Sequence, residues 1–243
     1  MRVLDLFSGI GGFSLGLERA GMETVAFCEI DPFCQKVLKK HWSDVPIYND
    51  VTELTNERLK SDGINGIDVV TGGFPCQDIS ISGRLQGFDG ERSSLWSELI
   101  RIVGEVRPSY AIFENVRNLL NGQQGDWFKR VLWEIYKIGY NVEWHCIPAS
   151  SLGANHKRDR VWMVAYPDST QCKGGGVPRR VFSKDTHIGC PGWWEVEPAV
   201  DRVANGIPNQ SHRLRSIGNA VVPQIPEIIG LAILEHMEIQ NEL

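Results

Sequence analysis

Short apolar runs alternate with amphipathic segments from the start of the chain to about residue 165. Seven of these runs are typical of strands, at residues 3–7, 24–29, 46–48, 68–71, 110–114, 142–148 and 160–165. Because helix-like segments separate most of them, the pattern predicts an α/β fold with a doubly wound, mostly parallel sheet. Ligands of such sheets bind beyond the carboxyl ends of the strands, so we expect the functional residues there.

Five helices are predicted from apolar spacing and from signals at helix ends. Asp31 is a candidate N-cap, and Pro32 follows it at the first helical position. Residues 94–106 repeat apolar side chains at helical spacing and end before Pro108. The predicted helices are 13–20, 32–42, 94–106, 127–138 and 225–239.

The alternation stops after residue 166. Residues 167–213 combine glycines, prolines and the pair Trp193-Trp194 with almost no periodicity. This change predicts a small irregular region at 167–212, inserted into a larger domain formed by residues 1–166 and 213–243.

Composition narrows the class of protein without identifying a ligand. The hydrophobic fraction is 42%, and no apolar run is long enough to cross a membrane. With no signal peptide at the N-terminus, this predicts a cytoplasmic protein. Six cysteines without a C-x-x-C pair predict reduced thiols and no metal site. The net charge of −5 does not favour phosphate contact over the whole surface, and basic clusters at 157–160 and 173–184 are either local nucleic-acid contacts or solvated charge.

A glycine-rich turn follows the first predicted strand, in the segment Phe7-Ser8-Gly9-Ile10-Gly11-Gly12. Such a turn lets the backbone approach a ligand closely beside a helix N-terminus. Its spacing is not G-x-G-x-x-G, which argues against a nicotinamide enzyme and leaves an adenosine-type cofactor. Glu29 and Asp50 follow the next two strands, where carboxylates either bind ribose and adenine or cap helices.

Cys76 lies in a Gly/Pro turn directly after the predicted strand 68–71. Most cysteines are small buried hydrophobic residues, whereas a thiol in a polar loop at a strand end is a candidate nucleophile. Glu114 ends the next predicted strand and is either a pyrimidine-binding acid or a surface acid. Arg158 and Arg160 alternate at the start of the last strand, which places them on one face, as base-supporting residues or as a basic strand edge.

Five segments resemble, in order and spacing, the motif series of DNA (cytosine-5)-methyltransferases. The short C-terminal region, with Trp193-Trp194 and Arg213-Leu214-Arg215-Ser216-Ile217-Gly218-Asn219, resembles compact bacteriophage and prophage members. The resemblance covers residues 1–165 and about 213–239. The segments are Phe7-Ser8-Gly9-Ile10-Gly11-Gly12, Gly73-Phe74-Pro75-Cys76-Gln77, Glu114-Asn115-Val116, His156-Lys157-Arg158-Asp159-Arg160-Val161 and Gly218-Asn219-Ala220-Val221.

This resemblance implies a class I, Rossmann-like methyltransferase with S-adenosylmethionine as the methyl donor. It implies Cys76 as the nucleophile, Glu114 as the cytosine-binding acid, and Arg160 as the base-supporting arginine with Arg158 beside it. The implied cofactor-binding residues are Phe7, Ser8, Gly9, Ile10, Gly11, Gly12, Glu29, Ile30, Asp50, Val51, Pro75, Asn219 and Ala220. The implied DNA-contacting residues are Pro75, Gln77, Ser80, Ser82, Asn115 and Val116.

The chain departs from the family pattern in two places. His156 stands where the family usually has glutamine, and the target-recognition region, 167–212, is short. The motif that usually braces this region is not clearly present, and we expect Arg202 or Arg213 to take its place. The implied partner is duplex DNA, and we expect a monomer that does not bind a membrane. The implied setting is a restriction-modification system with a cognate endonuclease, or the protection of phage DNA. The alternatives are the same chemistry on a transfer RNA and a catalytically idle DNA-binding module.

Overall fold

The computed structural model describes residues 1–74, 94–168 and 216–241. Seven strands form one sheet in the order β3-β2-β1-β4-β5-β7-β6. β7 is antiparallel to both β5 and β6, and the other pairs are parallel, which confirms the predicted α/β fold with a mostly parallel sheet. The strands are β1 (Arg2–Leu6), β2 (Glu23–Cys28), β3 (Ile47–Tyr48), β4 (Val69–Gly73), β5 (Tyr110–Val116), β6 (Tyr140–Pro148) and β7 (Asp159–Pro167).

Helices occur at all five predicted places, with ends that differ by a few residues. Asp31 caps its helix as expected, since its Oδ1 accepts hydrogen bonds from the backbone N–H groups of Phe33 and Cys34. The short helix α3 was not predicted, because it is only 6 residues long. The helices are α1 (Gly12–Arg19), α2 (Pro32–His41), α3 (Asn56–Ser61), α4 (Ser94–Val106), α5 (Asp126–Lys137) and α6 (Gln224–Asn241).

The sheet is buried on both faces, and successive strand residues alternate between two apolar clusters. One cluster contains Leu4, Val70 and Phe113 and packs against α4 and α5. The other contains Val3, Val69 and Ile112 and packs against α1 and α6. This alternation follows from the strand period of two, and burial on both faces explains why the strands have near-continuous apolar sequences.

α1 and α6 pack closely because glycine lies at their contact. A β-carbon on Gly16 would overlap the carbonyl oxygen of Pro223, so this position admits no side chain. Contrary to the expectation from the sequence, one stretch of the described residues, Ser216–Glu238, is long and apolar enough to cross a membrane by length and composition. Core helices pass the same test, and Ile229 and Ile233 of this stretch are buried against the sheet.

Candidate active site

The strand register brings four connecting segments to one edge of the sheet. Leu6, at the end of β1, is paired with Cys28 on one side and with Gly72 on the other. Gly73 is then paired with Glu114 of β5. The glycine-rich turn, Glu29, Phe74 and Glu114 therefore lie at the carboxyl edge of adjacent strands, where a doubly wound sheet binds its ligand.

The glycine-rich turn has a left-handed backbone at three positions. Phe7 has φ 52°, Gly9 has φ 55° and Gly11 has φ 85°. A β-carbon on Gly9 would meet no atom of the described residues within 4 Å, whereas one on Gly11 would lie 2.7 Å from the ring of Trp42. Among the described residues, Gly9 therefore borders open space, and Gly11 is required for packing.

Two hydrogen bonds to the backbone orient the carboxylate of Glu29. Its Oε2 accepts from the N–H of Gly9 at 2.7 Å, and its Oε1 accepts from the N–H of Asp31 at 2.7 Å. Each carboxylate oxygen has a second lone pair for a further donor. Ile30, the next residue, is 73% exposed although it is large and apolar. An oriented acid beside an exposed apolar side chain suits a ribose and a flat ring.

The loop after β3 places Asp50 and Val51 near the same edge. Oδ1 of Asp50 accepts from the N–H and the hydroxyl of Thr52, both at 2.8 Å. In the part of the chain that the structure describes, Oδ2 receives no hydrogen bond, which leaves an acceptor for a ligand. Arg101 of α4 braces this loop by donating to the carbonyl oxygens of Val51 and Leu54. Sequence reasoning missed Arg101, because a single arginine on a helix gives no sign of its partners.

Glu114 and Arg160 form an ion pair, with 3.1 Å between Oε1 of Glu114 and Nε of Arg160. β7 is antiparallel to β5, so its first residues lie beside the last residues of β5, and Val116 is paired with Arg160. The side chains are only 12% and 22% exposed. Burial raises the pKa of Glu114, outweighing Arg160 and Arg158, which lower it.

Asn115 fixes the backbone just before the predicted nucleophile. Its side chain is 1% exposed, and its Nδ2 donates to the carbonyl oxygen of Phe74 at 3.3 Å. Its Oδ1 accepts from the N–H of Val116 at 2.8 Å. The Glu114 carboxylate lies over the same backbone, since a β-carbon on Gly73 would be 3.5 Å from its Oε2. The predicted site residues Pro75, Cys76, Gln77, Ser80 and Ser82 lie outside the described residues.

Arg158 connects the start of β7 to the C-terminal motif. It has φ 31°, and its guanidinium donates to the carbonyl oxygens of Gly218 at 2.8 Å and Ala220 at 2.6 Å. Burial and the charge of Arg160 lower the pKa of Arg158. Asn219, between the two carbonyls, is exposed. The structure therefore brings the predicted residues Asn219 and Ala220 to the same edge of the sheet as Glu114.

A buried carboxyl group supports the glycine-rich turn from below. Asp5 accepts hydrogen bonds from the hydroxyls of Ser14 at 2.7 Å and Thr71 at 2.8 Å. Its backbone carbonyl accepts from the hydroxyl of Ser8 at 2.6 Å, which holds that predicted site residue in the turn. Burial raises the pKa of Asp5 to about 7. Among residues 1–74, 94–168 and 216–241, no group of three or more His, Cys, Asp or Glu side chains is arranged to hold a metal ion.

Comparison with known proteins identifies the family to which this geometry belongs. Residues 1–189 match the family model for C-5 cytosine-specific DNA methylases. The type II methyltransferase M.CviJI of Paramecium bursaria Chlorella virus IL3A is 40% identical over 223 residues, which are 91% of this chain and 56% of that protein. M.HhaI of Haemophilus parahaemolyticus is 32% identical over 189 residues, which are 76% of this chain and 56% of that protein. The chain spans about half the length of the curated relatives it matches.

Solved structures agree with this assignment. A putative DNA modification methyltransferase encoded within an E. coli prophage matches with a TM-score of 0.59 and 27% identity, over 70% of this chain and 48% of that one. The Dnmt2 methyltransferase of S. pombe matches with a TM-score of 0.57 and 21% identity, over 90% of this chain and 66% of that one, a likeness of fold alone. On the family match and the shared fold, the chain belongs to the C-5 cytosine-specific DNA methylase family.

Proposed function

We propose that this chain transfers a methyl group from S-adenosylmethionine to C5 of a cytosine in duplex DNA, with Cys76 as the covalent nucleophile. The observation that carries the proposal is the position of Glu114. Its carboxylate is paired with Arg160 and lies over Gly73, three residues before Cys76. An acid with a raised pKa is thereby held at the strand ends from which the Cys76 loop departs.

The glycine-rich turn and the acids around it fit S-adenosylmethionine. Glu29 would bind the ribose hydroxyls, Asp50 would accept from the adenine amine, and Ile30 would pack against the ring. The open space at Gly9 leaves room for the ligand against the backbone. When bound, the cofactor supplies a methyl group to C5 of the base. The further residues proposed to line this site are Phe7, Ser8, Ile10, Gly11, Gly12, Val51, Pro75, Asn219 and Ala220.

The protein's own groups would act on a cytosine turned out of the duplex. The Cys76 thiolate adds to C6, and the electron pair of the C5–C6 bond moves so that C5 becomes nucleophilic. Glu114 would hold a proton at N3 of the base, and the direction of its pKa shift, upward through burial, supports this role. Arg160 orients Glu114 through their ion pair. After C5 is methylated, a base removes the C5 proton, the double bond re-forms and the Cys76 thiolate leaves.

The biological setting belongs to the same proposal. The named relatives are type II methyltransferases. We therefore infer that this chain acts on duplex DNA, either with a cognate restriction endonuclease or in the protection of phage DNA. We further propose that it acts as a monomer. The residues proposed to contact DNA are Pro75, Gln77, Ser80, Ser82, Asn115 and Val116.

The test compares Cys76→Ala with a matched control, Cys146→Ala, whose half-buried thiol lies in β6. Cys76→Ala is expected to bind S-adenosylmethionine and to transfer no tritiated methyl group to DNA, whereas Cys146→Ala keeps wild-type transfer. Bisulfite sequencing of DNA from expressing cells would then identify the methylated sites. Methyl transfer by Cys76→Ala would contradict the mechanism, and transfer by the wild type to transfer RNA but not to duplex DNA would contradict the substrate.

A further inference from the structure

Arg158 binds two backbone carbonyls that lie on either side of a single residue, Asn219. The Nη1 atom donates to the oxygen of Gly218 at 2.8 Å, and Nη2 donates to the oxygen of Ala220 at 2.6 Å. Hydrogen bonds from a charged donor are stronger than neutral ones, and the planar guanidinium fixes the relative orientation of its two acceptors. The backbone around Asn219 is therefore held by one side chain that is 60 residues away in sequence.

The other side of the same segment rests on the glycine-rich turn. A β-carbon on Gly12 would lie 2.5 Å from the carbonyl oxygen of Val221, so the two backbones touch without a side chain between them. Next to it, the hydroxyl of Ser216 lies 3.6 Å from the thiol of Cys34 in α2. The segment 218–221 is thus attached at two points, to Arg158 through Gly218 and Ala220 and to the start of α1 through Val221, while the side chain of Asn219 stays exposed.

Arg158 and Arg160 are separated by one residue, but they contact different parts of the site. Arg160 pairs with Glu114, whereas the guanidinium of Arg158 donates hydrogen bonds to the C-terminal segment. We infer that Arg158 is a positioning residue that clamps residues 218–220 against the glycine-rich turn and so places Asn219 at the cofactor. This inference rests on the proposed cofactor site and assigns Arg158 to the cofactor side of the site rather than to the base.

Arg158→Met tests the clamp, because methionine keeps an apolar stem and removes both hydrogen bonds. Arg158→Lys is the second variant, since an ammonium group can replace only part of the bidentate contact. The matched control is Arg117→Met, which removes an exposed arginine from its ion pair with Asp159, the residue next to Arg158. Two measurements are made on each protein: amide hydrogen exchange of the ligand-free form, and calorimetric binding of S-adenosylmethionine without DNA.

Arg158→Met is expected to raise exchange rates over residues 216–224 by about tenfold or more and to weaken cofactor binding by a similar factor, because two charge-assisted bonds are lost. Arg158→Lys should lie between this variant and the wild type, and Arg117→Met should match the wild type. The inference would be overturned if hydrogen exchange in Arg158→Met were unchanged. It would also be overturned if Arg158→Met bound the cofactor with wild-type affinity and only its turnover were reduced. Hydrogen exchange is measured without ligand, so it tests the clamp independently of the proposed function. The proposed function itself would be contradicted if the wild-type chain bound no S-adenosylmethionine.

Discussion

The ion pair between Glu114 and Arg160 can be tested by a double-mutant cycle. Glu114→Gln keeps the shape of the side chain and removes its charge, and Arg160→Met removes the positive charge but keeps an apolar stem. At 3.1 Å the Coulomb attraction is about 5 kcal/mol with an effective dielectric constant of about 20. Burial offsets much of this attraction, as the raised pKa of Glu114 indicates. We therefore expect a coupling free energy of about 1–3 kcal/mol.

The cycle is measured by urea denaturation of the wild type, the two single variants and the double variant at about pH 8. Each single change leaves a partly buried group without its partner and should lower the free energy of unfolding by about 1–3 kcal/mol. The double variant should lose less than the sum, because neither charge is then left alone. In parallel, Glu114→Gln should lower kcat for methyl transfer by about 100-fold or more with cofactor affinity unchanged.

Two results would refute this reasoning. A coupling free energy below about 0.5 kcal/mol is no larger than the deviation from additivity found for residues that do not interact. Such a value would mean that the two side chains are not paired in solution. Methyl transfer at the wild-type rate by Glu114→Gln would remove Glu114 from the mechanism, whatever the value of the coupling.

Three further predictions concern the core beneath the site. Burial raises the pKa of Asp5 from 3.8 to about 7, so its contribution to stability is complete below pH 3.8 and is lost as the pH rises to about 7. Between about pH 5 and about pH 8, the wild type should lose about 3 kcal/mol more unfolding free energy than Asp5→Asn, as measured by urea denaturation, and equal losses would contradict the assigned pKa. Gly72→Ala would overlap the side chain of Leu99 and should lower the free energy of unfolding by about 1–3 kcal/mol. Gly73→Ala has room for its methyl group, so it should keep the wild-type stability but reduce methyl transfer, because the new methyl group lies beside Glu114. Gly16→Ala should lower the melting temperature more than Gly72→Ala, because it overlaps a backbone carbonyl rather than a side chain.

Much of the fold could be predicted from local sequence. The strands of the sheet interior have apolar residues on both faces, so their positions follow from near-continuous hydrophobic runs. Asp31 and Pro32 mark a helix start by chemistry that acts within one turn, and the structure has that cap. α3 was missed because a helix of 6 residues shows less than two turns of any pattern.

The pairing of strands and the bonds between distant side chains could not be predicted from local pattern. Hydrophobic runs place a strand at 160–165, but they do not indicate that β7 lies antiparallel between β5 and β6. That placement brings Arg160 to Glu114. The family resemblance assigned both residues to the site that binds the base, but it did not give the ion pair between them. The brace formed by Arg101 and the bond from Asn115 to Phe74 depend on contacts across 40 or more residues, and no local signal marks them.

Backbone strain is concentrated at the edge of the sheet that carries the proposed site. Among the described residues, five that are not glycine have a left-handed backbone: Phe7, Arg107, Gln123, Gln124 and Arg158. All except Arg107 lie in connections at the carboxyl edge of the parallel strands, and each such conformation costs about 1–3 kcal/mol. A sheet buried on both faces supplies enough stability to hold them. The left-handed backbone of Arg158 is held on two sides, since its carbonyl oxygen accepts from the N–H of Ala149 and its guanidinium donates to the carbonyl oxygens of Gly218 and Ala220.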